Sequence, residues 1–199
     1  MDINIIRDPV NIIKINDVFT KVENNAILEE MIYNEKTFQD SVTCGKPTDM
    51  RNNTVSYYDN VYQDNRQNSA LLTVVDSLFK SDEFQALMRS SPIPFRLFKD
   101  TNTHETQVSR YGDSGQKYDW HLDMGKNTLY RKISVSVQLS DPDEYEGGNL
   151  EFFIKKDIIK APKEKGTVIL FPSYFLHRVT ELTKGTRKSL VVWISGPPL

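Results

Sequence analysis

The stretch RKISVSVQLS, residues 131–140, is the clearest β-strand in the sequence. Apolar and polar residues alternate along it: Ile133, Val135, Val137 and Leu139 fall on one side, and Lys132, Ser134, Ser136 and Gln138 on the other. Successive side chains of a strand point to opposite faces of a sheet. We therefore expect the apolar face to meet a hydrophobic layer, formed by preceding helices, and the polar face to line the wetter inside of an open barrel.

The sequence around this strand is typical of antiparallel sheets. Beyond Pro94, short alternating segments are separated by turn signals such as GDSG, SDPDEYEGG and LTKGT. Gly147 and Gly148 fall in the second signal, where glycine supplies backbone angles that other residues resist. Residues 95–199 are therefore predicted to form a β-sheet core.

Helical patterns dominate the part of the chain before that core. Asn16 and Asp17 can cap a first helix, predicted from Asp17 to about Tyr33 with Val18, Val22, Ala26, Leu28 and Ile32 near one face. A second helix, SALLTVVDSLFK, places Leu72, Val75, Leu78 and Phe79 on one side. Ser81 and Asp82 can cap a third in SDEFQALMRS, and Pro92 and Pro94 end helical structure.

Residues 34–67, between the first two helices, are polar and contain strand-like pieces such as TVSYY. A segment of this length suits a binding loop or lid, with a plain surface excursion as the alternative. Without an interdomain linker, the chain is predicted to be a single domain, 1–199, of the α+β class: mainly β, with a helical and loop support region at 1–94.

Composition narrows the classes of function. The chain has 199 residues and a formal net charge of -2, so it offers no excess positive charge that would favour nucleic acid. Cys44 is the single cysteine, which fits a reducing compartment. Arg7, Asp8 and Lys14 interrupt the apolar N-terminal patches before a signal peptide or membrane span could form. We expect a cytoplasmic protein without a membrane partner.

Three side chains form a candidate metal site. His121 and Asp123 are two residues apart in YDWHLD, so an extended backbone points both to the same side. His177 is the last of the three histidines and lies in a strand–turn–strand pattern. Two imidazoles and a carboxylate suit Fe(II) with open coordination positions, although zinc with a catalytic water can use the same set.

Arg187, ten residues beyond His177, favours iron over zinc. The intervening turn TELTKGT can fold it back beside the histidine, and its guanidinium can grip a carboxylate in two places. A zinc hydrolase has no need of that grip, whereas an iron enzyme with a dicarboxylate cosubstrate has. Arg178 and Lys188 each follow a candidate directly and are predicted to face the other way, and Lys184 falls in the turn.

The segments QVSRYGDSGQKYDWHLD, EGGNLEFF and KGTVILFPSYFLHRVTELTKGTRKSLVVWI together resemble the Fe(II)- and 2-oxoglutarate-dependent dioxygenases of the prolyl 4-hydroxylase type, the PKHD-type hydroxylases among them. The resemblance covers about the last half of the chain. It implies a double-stranded β-helix, a cupin-like jelly roll whose two sheets hold the iron between them.

The resemblance also implies roles for individual residues. His121, Asp123 and His177 match the iron ligands, and Arg187 matches the residue that pairs with the far carboxylate of 2-oxoglutarate. Tyr111 matches a tyrosine that donates a hydrogen bond to the cosubstrate. Gln138 matches a further polar cosubstrate contact that is often a tyrosine in relatives, and Leu150 and Trp193 match pocket walls.

The implied reaction converts 2-oxoglutarate and dioxygen to succinate and carbon dioxide while a C–H bond is hydroxylated, with ascorbate as an optional cofactor. Asp123 favours hydroxylation, because related halogenases lack this carboxylate. A prolyl residue of a peptide or protein is the first expected substrate, and residues 34–67 are a candidate clamp over it. Other side chains, free amino acids and small metabolites stay open, as does a non-catalytic jelly-roll binding module.

Overall fold

In the computed structural model the described residues are 2–6, 12–16, 20–41, 49–58, 68–82, 84–86, 104–112 and 115–196. Cys44, Pro92, Pro94 and the predicted boundary at residues 94 and 95 lie outside them, so the compartment and the domain organisation stay predictions. None of the helices in these ranges is long and apolar enough to span a membrane.

Antiparallel strands make up most of the described chain. In chain order they are β1 (Asp2–Ile6), β2 (Ile12–Asn16), β3 (Gln39–Asp40), β4 (Thr54–Tyr57), β5 (His104–Tyr111), β6 (Tyr118–His121), β7 (Arg131–Gln138), β8 (Tyr145–Gly147), β9 (Leu150–Ile154), β10 (Asp157–Lys160), β11 (Val168–Pro172), β12 (His177–Val179), β13 (Leu182–Gly185) and β14 (Arg187–Ser195). The large sheet has the order β1-β2-β11-β7-β14-β5-β4-β3, a smaller one has the order β10-β9-β12-β6, and β13 pairs with β8. This is the expected jelly roll.

Strand β7 lies in the middle of the large sheet, between β11 and β14. Its apolar side, with Ile133, Val135 and Val137, is buried in one cluster with side chains of the helices. Its polar side faces the other way, towards the smaller sheet, where Ser134 and Gln138 meet the candidate site. The predicted alternation of this strand is confirmed.

The first helix, α1 (Lys21–Tyr33), begins later than predicted. The stretch Ile12–Asn16 is strand β2 instead, and Thr20 caps the helix in a capping box with Glu23. The predicted face was also wrong, because Ile27 and Met31 are buried while Val22 and Ile32 are 78% and 69% exposed. Ile27 and Met31 are four residues apart and share one face of a helix, so tertiary packing selects them over the more scattered predicted set.

The second helix, α2 (Ala70–Lys80), agrees with its prediction. Leu72, Val75 and Leu78 are buried against the large sheet, and the partly buried Phe79 packs on the same cluster. Its first turn is held from α1, because Glu30 accepts hydrogen bonds from Ser69 Oγ and, at 2.9 Å, from Leu71 N. A carboxylate at a helix N-terminus also stabilises the helix dipole. Beyond α2, Ser81 Oγ accepts from Phe84 N, as expected for a cap.

The described residues of the polar segment 34–67 form a helical turn at Glu35–Thr37 and the strands β3 and β4. Strand β4 pairs with β5, so this part of the segment extends the large sheet. Residues 42–48 and 59–67 lie outside the described ranges, so the choice between a binding loop and a surface excursion stays a prediction.

A second apolar cluster lies between the two sheets. It joins Phe152 and Val179 of the smaller sheet to Tyr111, Ile169 and Phe171 of the large one. The candidate site lies beside this inner cluster, while the helices close the outer face of the large sheet. The two faces of the sheet thus have separate packing partners.

The turn at Gly147 is expected to tolerate no side chain. Its φ is +74°, and a Cβ added there would lie 2.1 Å from the carbonyl oxygen of Glu181. Gly166 is a matched control, because its φ is +77° but nothing lies within 4 Å of an added Cβ. We expect Gly166→Ala to lower the free energy of unfolding by about 1 kcal/mol, the cost of left-handed backbone. Gly147→Ala should cost at least about 2 kcal/mol more, since backbone atoms cannot yield cheaply. Equal urea denaturation midpoints for the two variants would contradict this account.

Candidate active site

The strand pairing of the smaller sheet brings the two candidate histidines together. Strands β6 and β12 are antiparallel neighbours, and His121 lies directly opposite His177 in their register. Their ring centroids are 4.1 Å apart. Paired residues on adjacent strands point to the same side, so both imidazoles project towards one point between the sheets.

Both histidines are fixed in the same tautomer. His121 Nδ1 lies 2.7 Å from the carbonyl oxygen of Asp119, and His177 Nδ1 lies 2.8 Å from that of Phe175. A carbonyl oxygen can only accept, so each Nδ1 carries the proton and donates it. Each Nε2 lone pair is then free to bind a metal, and the backbone bonds hold the rings in place.

Asp123 completes the group just beyond the end of β6. Its carboxylate oxygens lie 3.7 Å from His121 Nε2 and 3.5 Å from His177 Nε2. Ser134 Oγ of β7 donates a 2.6 Å hydrogen bond to Oδ2, and the backbone amide of Asp123 donates to the carbonyl oxygen of Ser173. The polar face predicted for β7 therefore positions a candidate ligand.

Burial and neighbouring groups together set the protonation states of His121 and Asp123. Burial lowers the pKa of His121 to about 3, and the neighbouring His177 adds to that effect while Asp123 opposes it. Burial by itself would raise the pKa of Asp123, but His177, His121 and the Ser134 hydrogen bond outweigh it and lower the pKa. The group at neutral pH thus includes a neutral His121 and an ionised carboxylate.

The geometry of this group fits a metal ion. One ligand atom from each of His121, Asp123 and His177 lies within 4.8 Å of the others. Two imidazoles and a carboxylate on one side of a metal leave positions open on the other, a set typical of non-haem Fe(II). The structure thus brings together the three residues that the sequence singled out.

Arg187 begins strand β14 and is the most deeply buried charge near this group. It is 1% exposed. Its Nη atoms donate to Ser189 Oγ at 3.2 Å and to Gln138 Oε1 at 3.1 Å, while its Nε is buried without a hydrogen-bond partner. The ion pairs of the described residues do not include it. A buried guanidinium without a counter-charge is costly, which indicates a site for an anion.

Tyr111 connects Arg187 with the metal-binding group. It lies opposite Arg187 in the β5–β14 register, with its ring centroid 5.5 Å from the guanidinium carbon. Burial raises the pKa of its hydroxyl; the charges of Arg187 and Arg51 lower it in part, and that of Asp123 raises it further. Tyr111 therefore keeps its proton and can donate it to a bound acceptor.

The other predicted residues have mixed outcomes. Leu150 and Trp193 are buried, as walls of a pocket should be. Arg178 faces away from the site as predicted, but it forms an ion pair with Glu151 at 2.8 Å and stacks on Trp120. Lys184 forms an exposed pair with Glu146, and Lys188 is less buried than Arg187, in line with its opposite orientation. The side chain of His104 lies outside the described set.

Two site residues were not found from the sequence. Tyr118 stacks on His121, with ring centroids 3.4 Å apart. Arg51, in the polar segment before β4, is buried and lies over the ring of Tyr118, 4.5 Å from its centroid. Its Nε donates to Asn53 Oδ1 at 3.0 Å. Burial raises the pKa of Tyr118 to about 12 and also raises that of Tyr111, and the charge of Arg51 opposes both shifts in part. The sequence signal that could have identified Arg51 is a single arginine just before the strand-like piece TVSYY.

Comparison with known proteins decides the family. Residues 106–195 match the model of the 2OG-Fe(II) oxygenase superfamily. The chain is 30% identical over 190 residues to a PKHD-type hydroxylase of Rippkaea orientalis, covering 93% of this chain and 78% of that one. The chain belongs to the PKHD-type hydroxylases. It spans about half to two thirds of the length of several other members of that family.

Solved structures agree on the fold of this PKHD-type chain. A prolyl hydroxylase from Trichoplax adhaerens, in complex with a hypoxia inducible factor peptide fragment, has a TM-score of 0.74 at 14% identity, covering 95% of this chain and 85% of that one. The viral collagen prolyl hydroxylase of Paramecium Bursaria Chlorella virus-1, in a 2OG complex, has a TM-score of 0.63 at 20% identity, covering 96% and 99%. The PKHD-type chain is thus an Fe(II)- and 2-oxoglutarate-dependent dioxygenase by family and a jelly roll by fold.

Removal of Asp123 should abolish metal binding by the PKHD-type chain. Asp119 is a matched control, because its exposed carboxylate is two residues from His121 while only its backbone carbonyl holds that ring. We expect Asp123→Ala to weaken Mn(II) binding at least about a hundredfold, since loss of a group that only holds a metal ligand in place can already cost tenfold to a hundredfold. Asp119→Ala should bind like the wild type. Calorimetric titration of Mn(II) measures both, and equal affinities of the two variants would exclude this metal centre.

Proposed function

We propose that the chain hydroxylates a prolyl residue of a peptide or protein, with His121, Asp123 and His177 as iron ligands and Arg187 and Tyr111 as ligands of 2-oxoglutarate. The observation behind this proposal is the buried cation next to the metal-binding group. Arg187 has no acidic partner among the described residues, and Tyr111 lies between it and Asp123 in electrostatic reach of both. An anion that also reaches the metal satisfies all three groups.

The chain contributes orientation, charge and exclusion of water to the reaction. Fe(II), when bound, supplies the activation of dioxygen that is coupled to oxidative decarboxylation of 2-oxoglutarate to succinate and carbon dioxide. His121 and His177 present Nε2 lone pairs, and Ser134 holds the carboxylate of Asp123. Arg187 receives the far carboxylate, and Tyr111 donates its hydroxyl proton to the cosubstrate. Whether ascorbate is required stays a prediction that succinate assays with and without it can decide.

In this proposal Gln138 does not contact the cosubstrate directly. Its Oε1 accepts from Arg187, and its Nε2 donates at 2.9 Å to the carbonyl oxygen of Pro162. Both ends of the amide are therefore engaged. We assign Gln138 to holding the Arg187 fork in position.

The peptide substrate is supported by the surroundings of the metal-binding group. Tyr174, in the turn before His177, is about half exposed. An exposed aromatic group beside a polar site suits an apolar ring such as that of proline. Arg51 and Tyr118 border the same region, so the described residues around Arg51 support the predicted clamp. The prolyl hydroxylase of Trichoplax adhaerens was solved with a peptide.

Loss of Arg187 should affect the cosubstrate and not the metal. Lys188 is a matched control, because it carries the same charge at the next position and faces the other side of β14. We expect Arg187→Ala to raise the KM for 2-oxoglutarate by about a hundredfold, the value of a charge-assisted contact, with Mn(II) affinity unchanged. Lys188→Ala should leave both unchanged. An unaltered KM in Arg187→Ala would move the carboxylate contact to another cation.

A substrate screen tests the reaction itself. Prolyl peptides, their alanyl counterparts and free amino acids are incubated with Fe(II), 2-oxoglutarate and air, and mass spectrometry records the addition of one oxygen atom. We expect oxygen addition to prolyl peptides alone, with matching succinate, and none with Asp123→Ala. Oxygen addition to another class would keep the dioxygenase chemistry and refute the prolyl substrate.

A further inference from the structure

At the far-carboxylate corner of the site, Arg187 is the one residue to which a contact with the carboxylate has been assigned. Gln138, at the position where the family resemblance places a polar contact, donates an amide proton to the carbonyl oxygen of Pro162 and accepts from Arg187. Leu150, on β9 of the smaller sheet, has no polar group. A carboxylate has two oxygens and about four acceptor sites, so one guanidinium leaves part of it unsatisfied.

Tyr145 lies at this corner with an unused hydroxyl. It begins strand β8 and is 4% exposed, and its hydroxyl is buried. Among the described residues, Arg187 is the polar side chain that approaches the hydroxyl oxygen, and since a guanidinium can only donate, the hydroxyl proton is left without an acceptor. A buried donor in this state is unfavourable, so it indicates an acceptor that binds later. Arg187 Nε is buried and unpaired in the same way.

Gly148 brings Tyr145 and Arg187 to the same place. A Cβ added at Gly148 would lie 3.0 Å from Arg187 Cδ and 3.6 Å from Tyr145 Cδ2. The two side chains therefore pack around one glycine whose φ of +55° lies in the left-handed region that favours glycine. Both unpaired groups belong to side chains that meet at this point.

The charges around Tyr145 favour an anion. Lys163 Nζ lies 4.6 Å from the centroid of its ring and donates to the carbonyl oxygen of Gly147. Burial raises the pKa of the Tyr145 hydroxyl, Arg187 opposes this, and Glu164 raises it further. Glu164 is mostly exposed and lies 3.9 Å from Lys14, so it does not neutralise Arg187. Tyr145 therefore stays protonated beside two positive groups.

We propose that Tyr145 is a cosubstrate-binding residue whose hydroxyl donates the second hydrogen bond to the far carboxylate of 2-oxoglutarate, beside Arg187. The hydroxyl of Tyr145, on β8, takes the place of a hydrogen-bond donor at the position of Gln138. One carboxylate then satisfies both Arg187 and Tyr145. This inference rests on the role of Arg187 in the proposed function.

The test compares two keto acids on one variant. 2-Oxopentanoate has the same chain as 2-oxoglutarate but lacks the far carboxylate. We expect Tyr145→Phe to weaken 2-oxoglutarate binding to the Mn(II)-loaded protein by about tenfold to a hundredfold, the range for a hydrogen bond to a charged group. Binding of 2-oxopentanoate should change by less than about twofold. Anaerobic calorimetric titration measures both affinities without turnover.

A control and three outcomes separate this inference from a structural role. Tyr33→Phe alters an exposed tyrosine on α1 and should leave both affinities and the melting temperature unchanged. Unchanged 2-oxoglutarate affinity in Tyr145→Phe overturns the inference, and so does equal weakening of both acids, which marks a general loss of structure. If the wild-type protein binds 2-oxoglutarate and 2-oxopentanoate equally, the proposed contact between Arg187 and the far carboxylate is itself wrong, and the inference for Tyr145 falls with it.

Discussion

The pairing of β6 with β12 is the constraint on which the rest of the site depends. It places His121 opposite His177, although the two are far apart in the chain, and the turn before β12 supplies the carbonyl oxygen of Ser173 that holds Asp123. Both strands are short, four and three residues, so few hydrogen bonds define this register. A register shift by one residue would turn one imidazole to the opposite face of the sheet, so even the smallest shift would separate the two histidines.

The large sheet separates two environments that one hydrophobic core could not combine. On its outer face, helices α1 and α2 bury the apolar residues of β7 and β14 in a cluster without charges. On its inner face, the same strands present Ser134, Gln138, Ser189 and Arg187. Burying these polar groups costs stability, and the outer cluster offsets that cost. The alternation in β7 therefore serves the fold on one side and the site on the other.

Local sequence patterns predicted the helices and strands better than they predicted the contacts between them. The alternation of β7 and the apolar face of α2 are regular over a full element, and both were found from the sequence. Helix α1 was placed too early, because Asn16 and Asp17 resemble caps and the pairing of β2 with β11 depends on residues far along the chain. The metal group was predicted from the spacing of His121 and Asp123 together with His177, and the family resemblance assigned the roles of its residues. Arg51 and Tyr145 were not found, since their neighbours Tyr118 and Arg187 come from distant strands.

Because Arg187 is buried without a counter-charge in the described part of the chain, the cost of removing it from water falls on folding of the protein and not on binding of the anion. An exposed arginine would lose water and side-chain freedom at the moment of binding, and that loss would reduce affinity. Arg187 is already desolvated, and Ser189 and Gln138 hold its fork while Gly148 packs against its stem. Its desolvation is therefore a cost of folding, offset by the packing of two clusters. A carboxylate that enters this site meets a donor already in position, so its charge gains the full interaction in a medium that screens it weakly.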